Sequence, residues 1–117
     1  MKKEIRDGKV AVLYSPGYGA GWSTWGYDYG NDIIFDPSIV YMVLEKKKAK
    51  DDGDLGLWES WVDNIKAYCE KTYPDLYLGA VEDLSVVWIP EGTYFRIDEY
   101  DGSESIEYKE DDNWIVA

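Results

Sequence analysis

The chain contains no histidine. That removes the side chain most often used as a general base near neutral pH, every Ser–His or Cys–His nucleophilic arrangement, and the main ligand for zinc and copper. The single cysteine, Cys69, cannot close an internal disulfide, so the thiol content does not ask for an oxidising compartment. No apolar run approaches the ~20 residues that a membrane-spanning helix needs, and no membrane role is expected. The charged opening MKKEIRDGKV lacks the apolar segment of a secretory signal, so the expected location is a cytosol. Basic residues are scarce, with 12 Lys and Arg against 24 Asp and Glu, and the deficit is uneven. Residues 1–50 carry a net +2 and residues 51–117 a net −14, which makes direct nucleic-acid binding unexpected.

What is present is a 117-residue chain, 45% hydrophobic and 16% aromatic, enough for one domain spanning 1–117 around one core. Its most unusual stretch is Ser15 to Gly30, SPGYGAGWSTWGYDYG, with five glycines, five aromatics and one charge, Asp28. So much glycine does not propagate a helix or strand. The alternation of Gly17, Gly19 and Gly21 allows positive φ and lets successive N–H groups point into one concavity, which suits an anion. Tyr18, Trp22, Trp25, Tyr27 and Tyr29 add flat faces with polar tips. The candidate ligand-binding residues are therefore Ser15, Gly17, Tyr18, Gly19, Gly21, Trp22, Ser23, Trp25 and Tyr27. An Ω-like loop packed on its own aromatics is the structural alternative, and the two readings are compatible. The spacing matches neither the dinucleotide fingerprint nor a P-loop.

Lys9–Tyr14 reads as a buried strand leading into this loop. Ile33–Phe35 is a short apolar run. Asp36-Pro37 then gives an N-cap and a proline at the first helical position. Ile39, Val40, Val43 and Leu44 form the stripe of that helix, and Lys46, Lys47 and Lys48 its last turn, where cations suit the helix dipole. Residues 50–54 form a polar turn that lacks the ligand frame of a calcium loop. Leu57–Thr72 is a second helix, with Trp58, Trp61, Val62, Ile65, Tyr68 and Cys69 on its apolar side; Trp58, Trp61 and Cys69 are expected in the core. The period then changes to two. Strands are expected at Leu84–Ile89 and Tyr94–Tyr100, and a short one at Trp114–Val116 after a turn over 110–113. Pro90-Glu91-Gly92 and Asp101-Gly102 are turn sequences. A two-residue turn at Asp101-Gly102 sets Ile97 opposite Ile106, Phe95 opposite Tyr108 and Arg96 opposite Glu107. It also sets Glu99 opposite Glu104, which costs stability unless both splay into water or meet a cation. The expected architecture is α+β: an antiparallel sheet with two helices packed on one face.

Taken together, SPGYGAGWSTW, FDPSIV and WIPEGTYFRIDEYDGSESI resemble a group of small acidic proteins of unknown function encoded in bacteriophage genomes. The resemblance covers most of the chain, and the glycine–tryptophan loop is its most specific part. It implies a phage origin and action in the cytoplasm of a bacterial host cell, and it carries over no catalytic residue, cofactor or fold. By analogy with small accessory phage proteins, it points to countering a host defence, by sequestering a nucleotide signal or by capping a defence protein.

Three functions follow from the residues. The first is a non-enzymatic binding protein in which Gly17, Gly19 and Gly21 cradle a phosphate and Trp22 or Trp25 stacks on a base, with countercharge from Arg6, Lys9 or lysines 46–48. The second is an acidic inhibitor that docks Asp98, Glu99, Asp101, Glu104 and Glu107 on a basic surface of a host defence or nucleic-acid enzyme. The third is a hydrolase with a carboxylate-held metal near Asp98, Glu99, Asp101 and Glu104. The first needs no cofactor, metal or catalytic residue and is preferred, because acidic surface is explained by solubility alone. Enrichment in Trp and Tyr also suits self-association into a homo-oligomer.

Overall fold

The computed structural model describes residues 2–17, 21–24, 29–108 and 115–117, which fold into three helices and six strands. Strands β1 (Ile5–Arg6) and β2 (Lys9–Tyr14) form a hairpin whose two turn residues, Asp7 and Gly8, both take positive φ (52° and 74°). That mirror-image turn matches the twist of the strands it joins. The Asp7-Gly8 pair is the signal for it, and the reading that began the strand at Lys9 passed over it. Val10, Ala11, Val12 and Leu13 of β2 are all buried, which is why this strand reads as a continuous apolar run rather than an alternating one. β2 is the middle of an antiparallel sheet ordered β1-β2-β3, with β3 at Ser85–Pro90.

The chain is α+β, but its strands form two three-stranded antiparallel sheets rather than one. The second is ordered β5-β4-β6, from β4 (Tyr94–Tyr100), β5 (Ser103–Tyr108) and β6 (Ile115–Val116). Asp101 (φ 50°) and Gly102 (φ 83°) make the expected tight turn, and each predicted cross-strand pair is present, including Glu99 opposite Glu104. The expected turn at 110–113 and Trp114 lie outside the described residues. Gly92 takes the positive φ (87°) that its turn requires.

The apolar run at 33–35 is a single helical turn, α1 (Asp32–Phe35), with Ile33, Ile34 and Phe35 buried. Helix α2 (Pro37–Asp51) starts as its sequence dictates: Asp36 accepts the Ser38 N–H at 2.9 Å, and Pro37 occupies the first turn. Helix α3 (Leu55–Thr72) is capped by Asp54, which accepts the Leu57 N–H at 3.0 Å. α2 packs on β2 and β3, and the chief partner of α3 is α2. Val62, Ile65 and Cys69 of α3 enter the core, whereas Trp58 and Trp61 are only half-buried. The second sheet joins the same core through Phe95, fully buried and edge-on to Phe35 at 6.4 Å.

Candidate functional site

The glycine–aromatic loop is built around an acid from the far end of the chain. The Glu104 side chain on β5 is 2% exposed, and four donors converge on its carboxylate. Oε1 accepts the Ser15 N–H at 2.8 Å. Oε2 accepts the N–H groups of Trp22 (2.9 Å) and Thr24 (3.0 Å) and the Thr24 hydroxyl (2.6 Å). The Glu104 N–H in turn donates to the Ser15 carbonyl at 2.6 Å, and the Ser103 hydroxyl to that of Pro16 at 2.7 Å. A buried carboxylate is tolerable only with such a set of donors, and charge-assisted bonds of this kind are the strong ones. At Ser15, Trp22 and Thr24 the amides of this segment close on an anion, and that anion is the protein's own carboxylate. Glu104 therefore does not belong to the exposed acidic surface to which the sequence reading assigned it. It also resolves the like-charge pair with Glu99 in a third way, by turning its charge into backbone amides.

Trp22 is fully buried, and its indole N–H donates to the Ile33 carbonyl at 2.6 Å, so its rings are core and offer no face for stacking. Gly17 is not at positive φ; a Cβ there would run into the exposed Asp83 side chain, which would have to shift. Ser15 and Gly21 are buried and Ser23 is half-buried. Tyr18, Gly19, Trp25 and Tyr27 lie outside the described residues. Tyr29 donates its hydroxyl to the Pro74 carbonyl and packs edge-on to Tyr73.

Where this loop leaves β2, Tyr14 and Pro16 form one border of a cleft of about 400 Å³. Lys46, Lys47 and Lys50 of α2, Trp58 of α3, and Glu82 and Asp83 ahead of β3 are among the residues that line the rest. Its two charged walls are unlike. On the α2 wall, Lys47 pairs with Asp51 at 2.7 Å, and the Lys50 ammonium sits 5.9 Å from the centre of the Trp58 ring. The opposite wall carries the two carboxylates. Lys46, expected among the solvated lysines of the last helical turn, is instead buried. It falls on the stripe of Ile39 and Val43, and its ammonium donates to the carbonyls of Val81 (3.0 Å), Glu82 (2.7 Å) and Leu84 (3.0 Å). Its three protons are thereby used in holding the 81–84 segment against α2. Burial pulls its pKa down to about 8, with Asp83 opposing, Lys50 reinforcing and Glu82 opposing the shift.

Asp36 is a second buried acid. Besides capping α2, it accepts hydroxyl bonds from Tyr68 (2.8 Å) and Tyr73 (2.6 Å), which ties the end of α3 to the start of α2. Burial, then the bond to Asp36, raises both phenols above their ordinary pKa. Burial first, and Asp36 second, pushes the Cys69 thiol up to about 12, so the thiolate needed for nucleophilic chemistry is suppressed.

On the hairpin, Glu99, Asp101 and Glu107 are exposed and Asp98 is half-buried. Arg96 bridges Asp98 (3.0 Å) and Glu107 (3.2 Å). Among the described residues, no three Asp, Glu or Cys side chains converge to hold a metal ion, and no helix is long and apolar enough to cross a membrane. No family model, curated protein or solved structure matches this chain.

Proposed function

We propose that this chain is a non-enzymatic binding protein that takes a nucleotide-like small molecule, with the site moved from the loop's own amides to the cleft at its mouth. The observation that carries this reading is the cleft itself. It combines an aromatic surface at Trp58, cations at Lys47 and Lys50 and a volume of about 400 Å³, within the roughly 300–1,000 Å³ of small-molecule sites. The loop shapes that mouth because Glu104 and Ser103 fix Ser15 and Pro16. On the resemblance to small phage proteins, sequestration of a host nucleotide signal is the role such binding would serve. Titration of intrinsic tryptophan fluorescence with nucleotides tests it directly. Trp58→Ala is expected to weaken binding by one to two decades, since a base stack is worth roughly 1–3 kcal/mol. A folded protein that binds none of them refutes the reading.

A second reading, the acidic inhibitor, is favoured by a different observation. Tyr94, Tyr100 and Tyr108 stand exposed on the hairpin (45, 78 and 53%) beside Glu99, Asp101 and Glu107. Exposed tyrosines flanked by one sign of charge suit a protein interface with a basic partner. Such a complex forms more slowly as salt rises, and Tyr100→Ala weakens it. Capture of a host protein that is indifferent to both changes excludes this face.

A further inference from the structure

We infer that the cleft is a site for a single purine nucleotide of the guanine type, with Trp58 stacking the base, Lys50 binding the phosphate, and Glu82 and Asp83 reading the base edge. This rests on the binding reading above and makes it specific.

Size comes first. A cleft of about 400 Å³ lies near the lower end of the range for small-molecule sites, so it accommodates one base with its sugar and phosphate rather than a dinucleotide. The second point is the contact between Lys50 and Trp58. The ammonium lies 5.9 Å from the ring centre, so in the free protein the aromatic surface a base would use carries a cation. A base that stacks on Trp58 displaces Lys50 from the ring, and the ligand's phosphate gives the displaced ammonium a stronger partner than the π face. Lys47 is less available for this role, because Asp51 holds it four residues along the same helix. Binding of base and phosphate is thus coupled through one lysine, and a nucleoside without phosphate leaves that lysine without its new partner.

The third point is the opposite wall. Glu82 and Asp83 present carboxylates, which only accept hydrogen bonds. Two carboxylates facing a phosphate would repel it, which places the phosphate on the α2 side and the base edge at Glu82 and Asp83. Guanine offers adjacent ring and amino N–H donors that one carboxylate bonds together. Adenine offers only its amino group beside an acceptor nitrogen, and uracil one N–H between two carbonyl oxygens that a carboxylate repels. The Glu82 and Asp83 side chains are exposed, with Asp83 lying beside Gly17, and the carbonyl of Glu82, not its carboxylate, serves Lys46.

The test is fluorescence or calorimetric titration of the whole chain with guanosine monophosphate, adenosine monophosphate, uridine monophosphate, guanosine and free tryptophan. Guanosine monophosphate is expected to bind at least tenfold tighter than guanosine and than the other two nucleotides. Lys50→Met should bring guanosine monophosphate and guanosine within threefold of each other, leaving guanosine affinity unchanged or improved. Glu82→Gln with Asp83→Asn should erase the preference for guanine while keeping the preference for phosphate. All these positions are on the surface, and circular dichroism confirms folding. Equal binding of nucleotide and nucleoside, or persistence of either preference in its variant, overturns the assignment while leaving nucleotide binding in place. Binding of tryptophan but no nucleotide, or of none of the five, overturns the assignment and the binding reading together.

Discussion

Replacing Glu104 by Gln isolates the charge at the centre of the loop, because the side chain keeps its length and shape. The carboxylate uses both oxygens, one for Ser15 and one for three donors from Trp22 and Thr24. An amide has one oxygen. Placed toward Trp22 and Thr24, it leaves its NH₂ group facing the Ser15 N–H, and that buried donor goes unpaired at a cost of about 1–3 kcal/mol. The three remaining bonds lose charge assistance, roughly 1 kcal/mol each. Against this stands the relief of no longer burying a charge, which is itself several kcal/mol before any pairing. The net expectation is a loss of about 3 kcal/mol, or ~12 °C in melting temperature at about 4 °C per kcal/mol for a domain of this size. Urea and thermal denaturation followed by circular dichroism measure it. Hydrogen exchange should show the amides of Ser15, Trp22 and Thr24 losing protection first. The deficit should persist in 1 M salt, because buried contacts are little screened. Glu107→Gln, an exposed control on the same strand, should stay within ~0.5 kcal/mol. A Glu104→Gln loss below about 1 kcal/mol, with exchange unchanged at the three amides, would refute the claim that this charge organises the loop.

Trp22→Ala should cost about 3–5 kcal/mol, as expected for emptying a fully buried aromatic site, and unfolding in urea measures it. Tyr73 and Tyr68 have folded pKa values raised above the ordinary 10, by burial and then by Asp36, so their contribution is intact below pH 10 and lost as pH rises above it. Tyr73→Phe should therefore flatten the fall of the urea midpoint between pH 10 and pH 11.5; an unchanged slope counts against the network. Lys46 has the opposite sign: its folded pKa of about 8 lies below the ordinary lysine value of 10.5, so the unfolded chain holds more protons between those values. Its contribution makes stability rise across that window, and Lys46→Met should remove the rise while taking the ammonium from three carbonyls, of which Val81 keeps the Leu84 N–H, at about 2–3 kcal/mol. A wild-type profile parallel to the variant's between pH 8 and 9.5, before the tyrosines titrate, would contradict this.

Local structure was legible wherever a short motif decides it. Asp36-Pro37 starts α2, and Asp101-Gly102 fixes the hairpin register to the residue. Partition of the strands between two sheets was not legible, because alternation shows that a strand has two faces but not which edge it joins. Lys46 was hidden by its neighbours. A run of three lysines reads as solvated, although its spacing of three and seven from Val43 and Ile39 puts it on the apolar stripe. Glu104 was hidden among eighteen acids of the second half, and one signal did mark it: the register set it opposite Glu99, an arrangement in need of a partner. The loop's aromatics suggested a recognition surface, but a small domain also draws on its tryptophans for core volume, and Trp22 serves that use.

The Glu104 contacts also bear on the order of folding. They join residues 80 to 89 positions apart, while the β4–β5 hairpin that presents Glu104 closes through a two-residue turn. Local hairpins form within about 1–10 μs, whereas contacts between distant parts of a chain wait for the entropy of closing the intervening loop to be overcome. The amides of Ser15, Trp22 and Thr24 bond to a carboxylate from the far end of the chain, so these contacts form only after the hairpin has docked. During synthesis, a chain that has emerged as far as β3 can pair β2 with β3 and still leave the mouth of the cleft unmade. Completion of the cleft, begun by residues near position 15, is deferred until position 104 has arrived.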